Sequence, residues 1–151
     1  MDEKEAAKLA KAVAAECLAG RVRLLNRVIT NIYDRALQPL GIKINQANIL
    51  VMLTLTDQAS SVDIARVLQM EKSTVSRNID RMKKKGWIDV TGKDDGPSQV
   101  ITVTPKGKGL LADAHVEWQK AQKQATELLG EEGVAAVLRI HDTLKQEKKG
   151  S

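Results

Sequence analysis

The sequence predicts a mainly α fold, six helices with one β-hairpin set between the fourth and the fifth. Three observations point there. Apolar residues recur at helical spacing over most of the chain. Aromatic residues are nearly absent: Tyr33, Trp87 and Trp118 stand alone, with no Phe among 151 residues. The core must therefore come from Leu, Ile, Val, Met and Ala, which suits packed helices better than a β-sandwich. The periodicity turns strand-like in one region, from Trp87 to Val103.

Residues 3 to 37 read as one long helix, with apolar Leu9, Val13, Cys17, Leu24, Leu25, Val28, Ile29, Ile32 and Leu37. Gly20 costs about 1 kcal/mol relative to alanine inside a helix, so a bend is expected there. Pro39 and Gly41 stop it. Asn45 is the expected N-cap of a second helix that runs to about Leu55 and buries Ile49, Leu50, Met52 and Leu53. Asp57-Gln58-Ala59 is a break, and Ser60 or Ser61 caps a third helix, Val62 to Leu68. After the turn Gln69-Met70-Glu71, a fourth helix runs from Lys72 to Lys85. Val75, Ile79 and Met82 form its buried stripe. Gly86 ends it after three lysines, which suit the negative end of a helix dipole.

Trp87–Thr91 and Val100–Val103 read as short strands joined by the polar loop Gly92–Ser98. Thr104-Pro105 is a strong helix start, with Thr as N-cap and Pro in the first helical position. The fifth helix is expected to reach Leu129, with Leu110, Leu111, Ala114, Trp118, Ala121, Ala125 and Leu128 on one side. Gly130 ends it, and a sixth helix runs from about Glu131 to Glu147.

The net charge of +5 permits a polyanionic partner without requiring one. A single cysteine, Cys17, excludes an internal disulfide and a multi-cysteine zinc site, and it fits a reducing compartment. The first eleven residues carry charges throughout, and no run approaches the roughly 20 apolar residues of a membrane span. A cytoplasmic protein without a membrane partner is expected. No Gly-rich phosphate loop, nucleophile elbow or helical His pair is present. The chain is therefore read as a non-enzyme needing no cofactor. His115 and His141 sit on separate helices without paired cysteines, so no metal site is expected.

The block Val62 to Arg77 carries the functional reading. Small Ala65 sits where two helices must cross closely, and Ile64, Leu68, Met70 and Val75 pin the second helix across the first. That is the frame of a DNA-binding helix-turn-helix. With Val75, Ile79 and Met82 inward, Lys72, Ser73, Thr74, Ser76 and Arg77 project outward, where such proteins meet base edges in the major groove. Arg77 can grip guanine with two hydrogen bonds, and the hydroxyls can meet bases or phosphates. Arg66, Arg81, Lys84 and Lys85 suit phosphates, which position without specifying. The hairpin would be a wing reaching toward a minor groove. The lysine cluster alone reads as an ordinary solvated face; the constellation with the hairpin does not.

These residues resemble the MarR family of multiple antibiotic resistance regulators. Ile32 to Ile42 looks like the family's tyrosine-aspartate to proline-leucine-glycine exit from the first helix. Gln46 falls where a glutamine commonly follows, and Lys72 to Met82 is similar to the recognition helix. Val103-Thr104-Pro105-Lys106-Gly107 resembles the approach to the fifth helix. The resemblance covers roughly residues 15 to 145. It implies a winged helix-turn-helix region over residues 43–104, with dimerisation helices in 1–42 and 105–151. It also implies a homodimer on a near-palindromic operator in double-stranded DNA. The expected dimer residues are Leu9, Val13, Leu110, Trp118, Leu128, Val137 and Leu144. A ligand-responsive repressor is implied, its effector cleft lined by the inner faces of Arg21–Tyr33 and the second helix.

The chain departs from the family pattern in its wing, in its turn, in its recognition helix and at its cysteine. The wing has Gly96, Pro97 and Ser98 after Asp95 in place of two arginines, which leaves Lys93 as its one basic residue. Gln69 stands where the turn often has Gly, and Asn78 where an apolar residue is common. Cys17 lies two residues from the sensor position of the family's peroxide-responsive branch, about 200° around a helix. An inert thiol is the favoured reading. The alternatives kept open are a winged helix used for protein–protein assembly and a cysteine-based redox sensor.

Overall fold

The computed structural model describes every residue except Asp94, Asp95, Pro97 and Ser151. Its elements are α1 (Glu3–Glu16), α2 (Leu18–Leu37), α3 (Ile44–Thr56), α4 (Ser61–Leu68), α5 (Lys72–Lys84), β1 (Ile88–Thr91), β2 (Val100–Val103) and α6 (Pro105–Lys149). Helices and hairpin follow the expected order, but the first outer break falls elsewhere. The long first helix is two helices. They part at Cys17, whose ψ of 111° is extended, and not at Gly20, which lies inside α2. Arg21 clamps that corner by donating to the carbonyls of Cys17 (2.9 Å) and Ala15, groups near the end of α1 that need donor partners. At the other end the break expected at Gly130 is present as a kink within α6, where φ is 69° and ψ is 170°.

The N-cap of α3 is Lys43, not Asn45. The orphan amides find acceptors elsewhere. Asp34 of α2 accepts from the Ile44 amide at 2.8 Å, and the Gln46 side chain accepts from the Lys43 amide at 3.1 Å. A remote carboxylate thus replaces the local cap that the sequence suggested.

The cap of α4 is Ser60, which accepts from the Asp63 amide at 3.1 Å. Asp63 in turn accepts from the Ser60 amide and hydroxyl at 3.1 and 2.8 Å, closing a reciprocal capping box. The Ser60 hydroxyl, the Ser60 amide and the Arg66 guanidinium together hold the Asp63 carboxyl below its ordinary range.

The strands pair antiparallel, with Ile88 opposite Val103 and Thr91 opposite Val100. Ala59, expected only as part of a break, bridges Ile101 through two backbone bonds of 3.2 and 2.9 Å. The core under this sheet is formed by Leu37, Ile42, Ile49, Leu50, Leu53, Ile64, Val75, Met82, Ile88 and Ile101, all inaccessible or nearly so. Leu37 before the winged span and Ala114 after it belong to the same cluster.

Helix α6 starts at Thr104, whose hydroxyl accepts from Gly107 at 3.1 Å and donates to the Gly86 carbonyl at 2.6 Å. A Cβ on Gly107 would stand 2.2 Å from the Trp87 carbonyl oxygen, so glycine here permits helix and strand to touch. Further on, buried Ala114, Ala121 and Ala125 let α6 lie close along α2. Tyr33 crosses this seam and donates to Gln122, and burial pushes its phenol pKa up. No residue of α1 is buried.

Gly107→Ala should cost about 1–3 kcal/mol through overpacking against a backbone that cannot yield, read as a lower urea midpoint. Asp63 gives a pH test. Its pKa is depressed on folding, so its stabilisation is present above about pH 4 and lost as pH falls through the folded value. The gap in Tm between wild type and Asp63→Asn should therefore narrow from about pH 6 to about pH 3. A gap independent of pH would exclude the charged capping box as its source.

Candidate nucleic-acid interface

Helices α4 and α5 cross through the pattern that the sequence implied. Ile64 is fully buried, and Ala65, Leu68 and Met70 pack half-buried against the core. The turn between them places Gln69 in the left-handed region at φ 54°, with its side chain donating to the Arg66 carbonyl. Glycine would adopt this conformation without the roughly 1 kcal/mol that a Cβ costs. Gln69 alters the chemistry of the turn but not its path.

Val75, Ile79 and Met82 are buried as expected and fix the roll of α5. Lys72, Ser73 and Arg77 are exposed on its other side; Thr74 and Ser76 are half-buried. The Arg77 guanidinium donates to the Thr74 hydroxyl at 3.3 Å, which holds the arginine over the first turns of the helix. Ser73, Ser76 and Lys72 also line a polar cleft of about 370 Å³ shared with Ser61 and Val62 of α4. The first turns of α5 thus present hydroxyls and cations together. Asp80 is exposed one turn further along the same helix.

The four basic residues expected at phosphates have different surroundings. Arg81 and Lys84 are exposed in the last turn of α5. Arg66 is exposed but paired with Asp63 at 3.1 Å. Lys85 departs most from expectation. Its ammonium donates to the Gly41 carbonyl at 2.7 Å and lies 4.6 Å from the Trp87 ring centre, so it ties α5 to the turn before α3. Lys93 is exposed on the wing; the Asp95 and Pro97 departures lie outside the described residues.

Two polar links were missed from the sequence. Gln99, buried at the wing base, accepts from the Ser61 amide at 3.0 Å and so caps the start of α4. Gln46, also buried, donates to Asn78 at 3.3 Å. Asn78 was visible as a polar residue in an apolar place. Gln99 carried no such signal, because a glutamine after a polar loop reads as solvated.

An apolar cleft of about 470 Å³ opens between Ile44, Ala47 and Val51 of α3 and Leu111, His115 and Trp118 of α6. The His115 and Trp118 rings stack at 5.8 Å. The expected lining from Arg21–Tyr33 is not found in this cleft, and Arg21 is engaged at the corner of α1. Of the expected dimer residues, Leu9, Val13, Leu128, Val137 and Leu144 are well exposed, and Trp118 is 37% exposed. Leu110 instead packs half-buried against the winged core. Cys17 is half-buried at the helix break. Among the described residues no cluster of three or more His, Cys, Asp or Glu is placed to hold a metal ion. Among the described residues no helix is long and apolar enough to cross a membrane.

Comparison with known proteins agrees with this geometry. Residues 40–96 match the MarR family model. An uncharacterised HTH-type transcriptional regulator of Bacillus subtilis, YdgG, is 28% identical over 108 residues, covering 70% of this chain and 71% of its own. Among solved structures, a MarR mutant from E. coli complexed with operator DNA superposes with a TM-score of 0.74 at 19% identity, covering 87% of this chain and 96% of that one. The M. tuberculosis transcriptional regulator MosR in complex with DNA gives a TM-score of 0.73 at 27% identity, covering 89% and 98%. The matched winged segment, the relative and the shared helix-hairpin-helix architecture agree, and together they support a MarR-family winged-helix regulator.

Proposed function

We propose that this protein is a homodimeric, sequence-specific binder of double-stranded DNA that represses transcription and responds to a small ligand. It would act in the cytoplasm, at the nucleoid. The observation that carries this reading is the face of α5: Lys72, Ser73, Thr74, Ser76 and Arg77 lie opposite a stripe that is fully packed. A rigid helix with short hydroxyls and one arginine at its N-terminal end suits the edges of major-groove bases. Arg81 and Lys84 would lie on phosphates. Lys85 is engaged within the fold and is left out of this contact set. The two DNA-bound neighbours support the partner.

The dimer rests on exposed apolar side chains at the ends of the chain. Leu9, Val13, Leu128, Val137 and Leu144 are each more than 40% exposed. A patch of that kind is uncommon on a monomer and common at an obligate interface. Residues 1–42 and the distal part of 105–151 would supply it. The ligand reading rests on the apolar cleft, whose volume and lining suit a small molecule. A ligand there would act by binding one domain spacing better than another.

Selection from a random duplex pool at low and moderate salt tests the reading. An inverted repeat with half-sites about one turn apart is expected. A pool without any enriched sequence would leave protein assembly as the better account. Arg77→Ala should cost about 1–3 kcal/mol on the selected site and relax preference at one base pair per half-site. Lys84→Ala should weaken all duplexes alike and lower the salt slope by about 1 per contact. Val137→Asp with Leu144→Asp should give a monomer by sedimentation at low micromolar concentration; an intact dimer would place the interface elsewhere.

A further inference from the structure

We infer that Gln46 and Asn78 are positioning residues for the base-reading end of α5, joined through the start of α3 to helix α2. The inference rests on the DNA-binding reading above. Its observation is an unbroken run of polar contacts. Asp34 of α2 accepts from the Ile44 amide at 2.8 Å. The adjacent Lys43 amide donates to Gln46 Oε1 at 3.1 Å, and Gln46 Nε2 donates to Asn78 Oδ1 at 3.3 Å. Asn78 Nδ2 donates to the Thr74 carbonyl at 3.1 Å, and the Thr74 hydroxyl accepts from Arg77 at 3.3 Å.

The sense of each amide is forced by its neighbours. A backbone N–H can only donate, so Gln46 must turn its oxygen to Lys43 and keep its nitrogen for Asn78. A carbonyl can only accept, so Asn78 must turn its nitrogen to Thr74 and keep its oxygen for Gln46. The run fits one arrangement of α3 against α5 and no slid or rotated one. An apolar pair would fill the same space and tolerate sliding. Gln46 is 5% exposed, so an unmatched amide there would be costly, and none of the described buried side-chain polar atoms lacks a partner.

The run ends on two of the residues proposed to read DNA, Thr74 and Arg77, and does not reach the basic last turn of α5. It passes along the start of α3, where Ile44 and Ala47 line the apolar cleft. A shift of α3 or α2 is therefore felt at the first turns of α5 through directional bonds, before any loss of core packing. Gln46 and Asn78 set specificity without touching a base.

The test replaces both amides, as Gln46→Met with Asn78→Leu, because removing both partners leaves neither side chain stranded, and the Lys43 amide that loses Gln46 belongs to an exposed residue. This double variant should keep a Tm near that of wild type and the wild-type affinity for random duplex. Its discrimination at the base pair read by Arg77 should fall by roughly tenfold. Asn78→Leu alone should lose the same discrimination and also lose stability, through the stranded Gln46 amide. A purely structural role predicts that discrimination returns with stability in the double variant, and that result would overturn the inference. Amide hydrogen exchange without DNA gives a second reading. Exchange in the first two turns of α5 should quicken in Asn78→Leu while α4 is unchanged, and equal protection would also overturn it. A wild-type protein that selects no sequence removes the DNA-binding reading and this inference together; a selective wild type with equally selective variants removes this inference alone.

Discussion

Helix α3 is enclosed by α2, α4, β2 and α6, and Gln46, Ala47, Ile49, Leu50, Met52 and Leu53 along it are all buried. The rest of the winged region is arranged around this enclosure. A short helix covered on most sides must have its first amides satisfied without water, because a buried unpaired N–H costs as much as a lost hydrogen bond. Asp34 and the Gln46 side chain meet that demand. The choice ties α3 to α2 at one end and, through Gln46, to α5 on its flank. Packing thus fixes where α3 sits, and the polar contacts at its start fix which way its neighbours face.

What the sequence made legible follows the range of the interaction concerned. The stripe Val75, Ile79 and Met82 was readable because the same residues define the period and the burial. The Ser60 capping box and the Thr104-Pro105 start lie within three residues, and both appear where local chemistry puts them. Misplaced features depend on partners far along the chain. Asn45 looked like a cap because Asp34, eleven positions earlier, could not be known to reach Ile44. The contact of Lys85 with the Gly41 carbonyl was likewise invisible, because the two are forty-four residues apart. Gly107 was noticed as part of a pattern, but the Trp87 carbonyl that forbids a side chain there is visible only in three dimensions.

The same distinction applies to the candidate site. Lys72, Ser73, Thr74, Ser76 and Arg77 were legible because outwardness follows from the buried stripe alone. Their relative order was not. Arg77 leans on Thr74, Thr74 is held by Asn78, and Asn78 is matched to Gln46 on another helix. Charge supplies long-range attraction to a polyanion, but the chain carries only a modest excess of it. Specificity must then come from geometry. In this protein the geometry is held by neutral amides rather than by ion pairs, whose strength would fall with the salt that competes for DNA.

The two ends of the chain are built on different terms from the middle. The winged region closes its core on itself, with Leu37 and Ala114 drawn in from the flanking helices. Helix α1 buries nothing, and its 14 residues are near the length at which an isolated helix is marginal in water. The distal part of α6 likewise exposes Val137, Leu138, Ile140 and Leu144. Segments of this kind gain their helicity from contact with something apolar, and the corner at Cys17, clamped by Arg21, aims α1 away from the core. If the contact is a second copy, the order of these ends depends on protein concentration while that of the winged core does not.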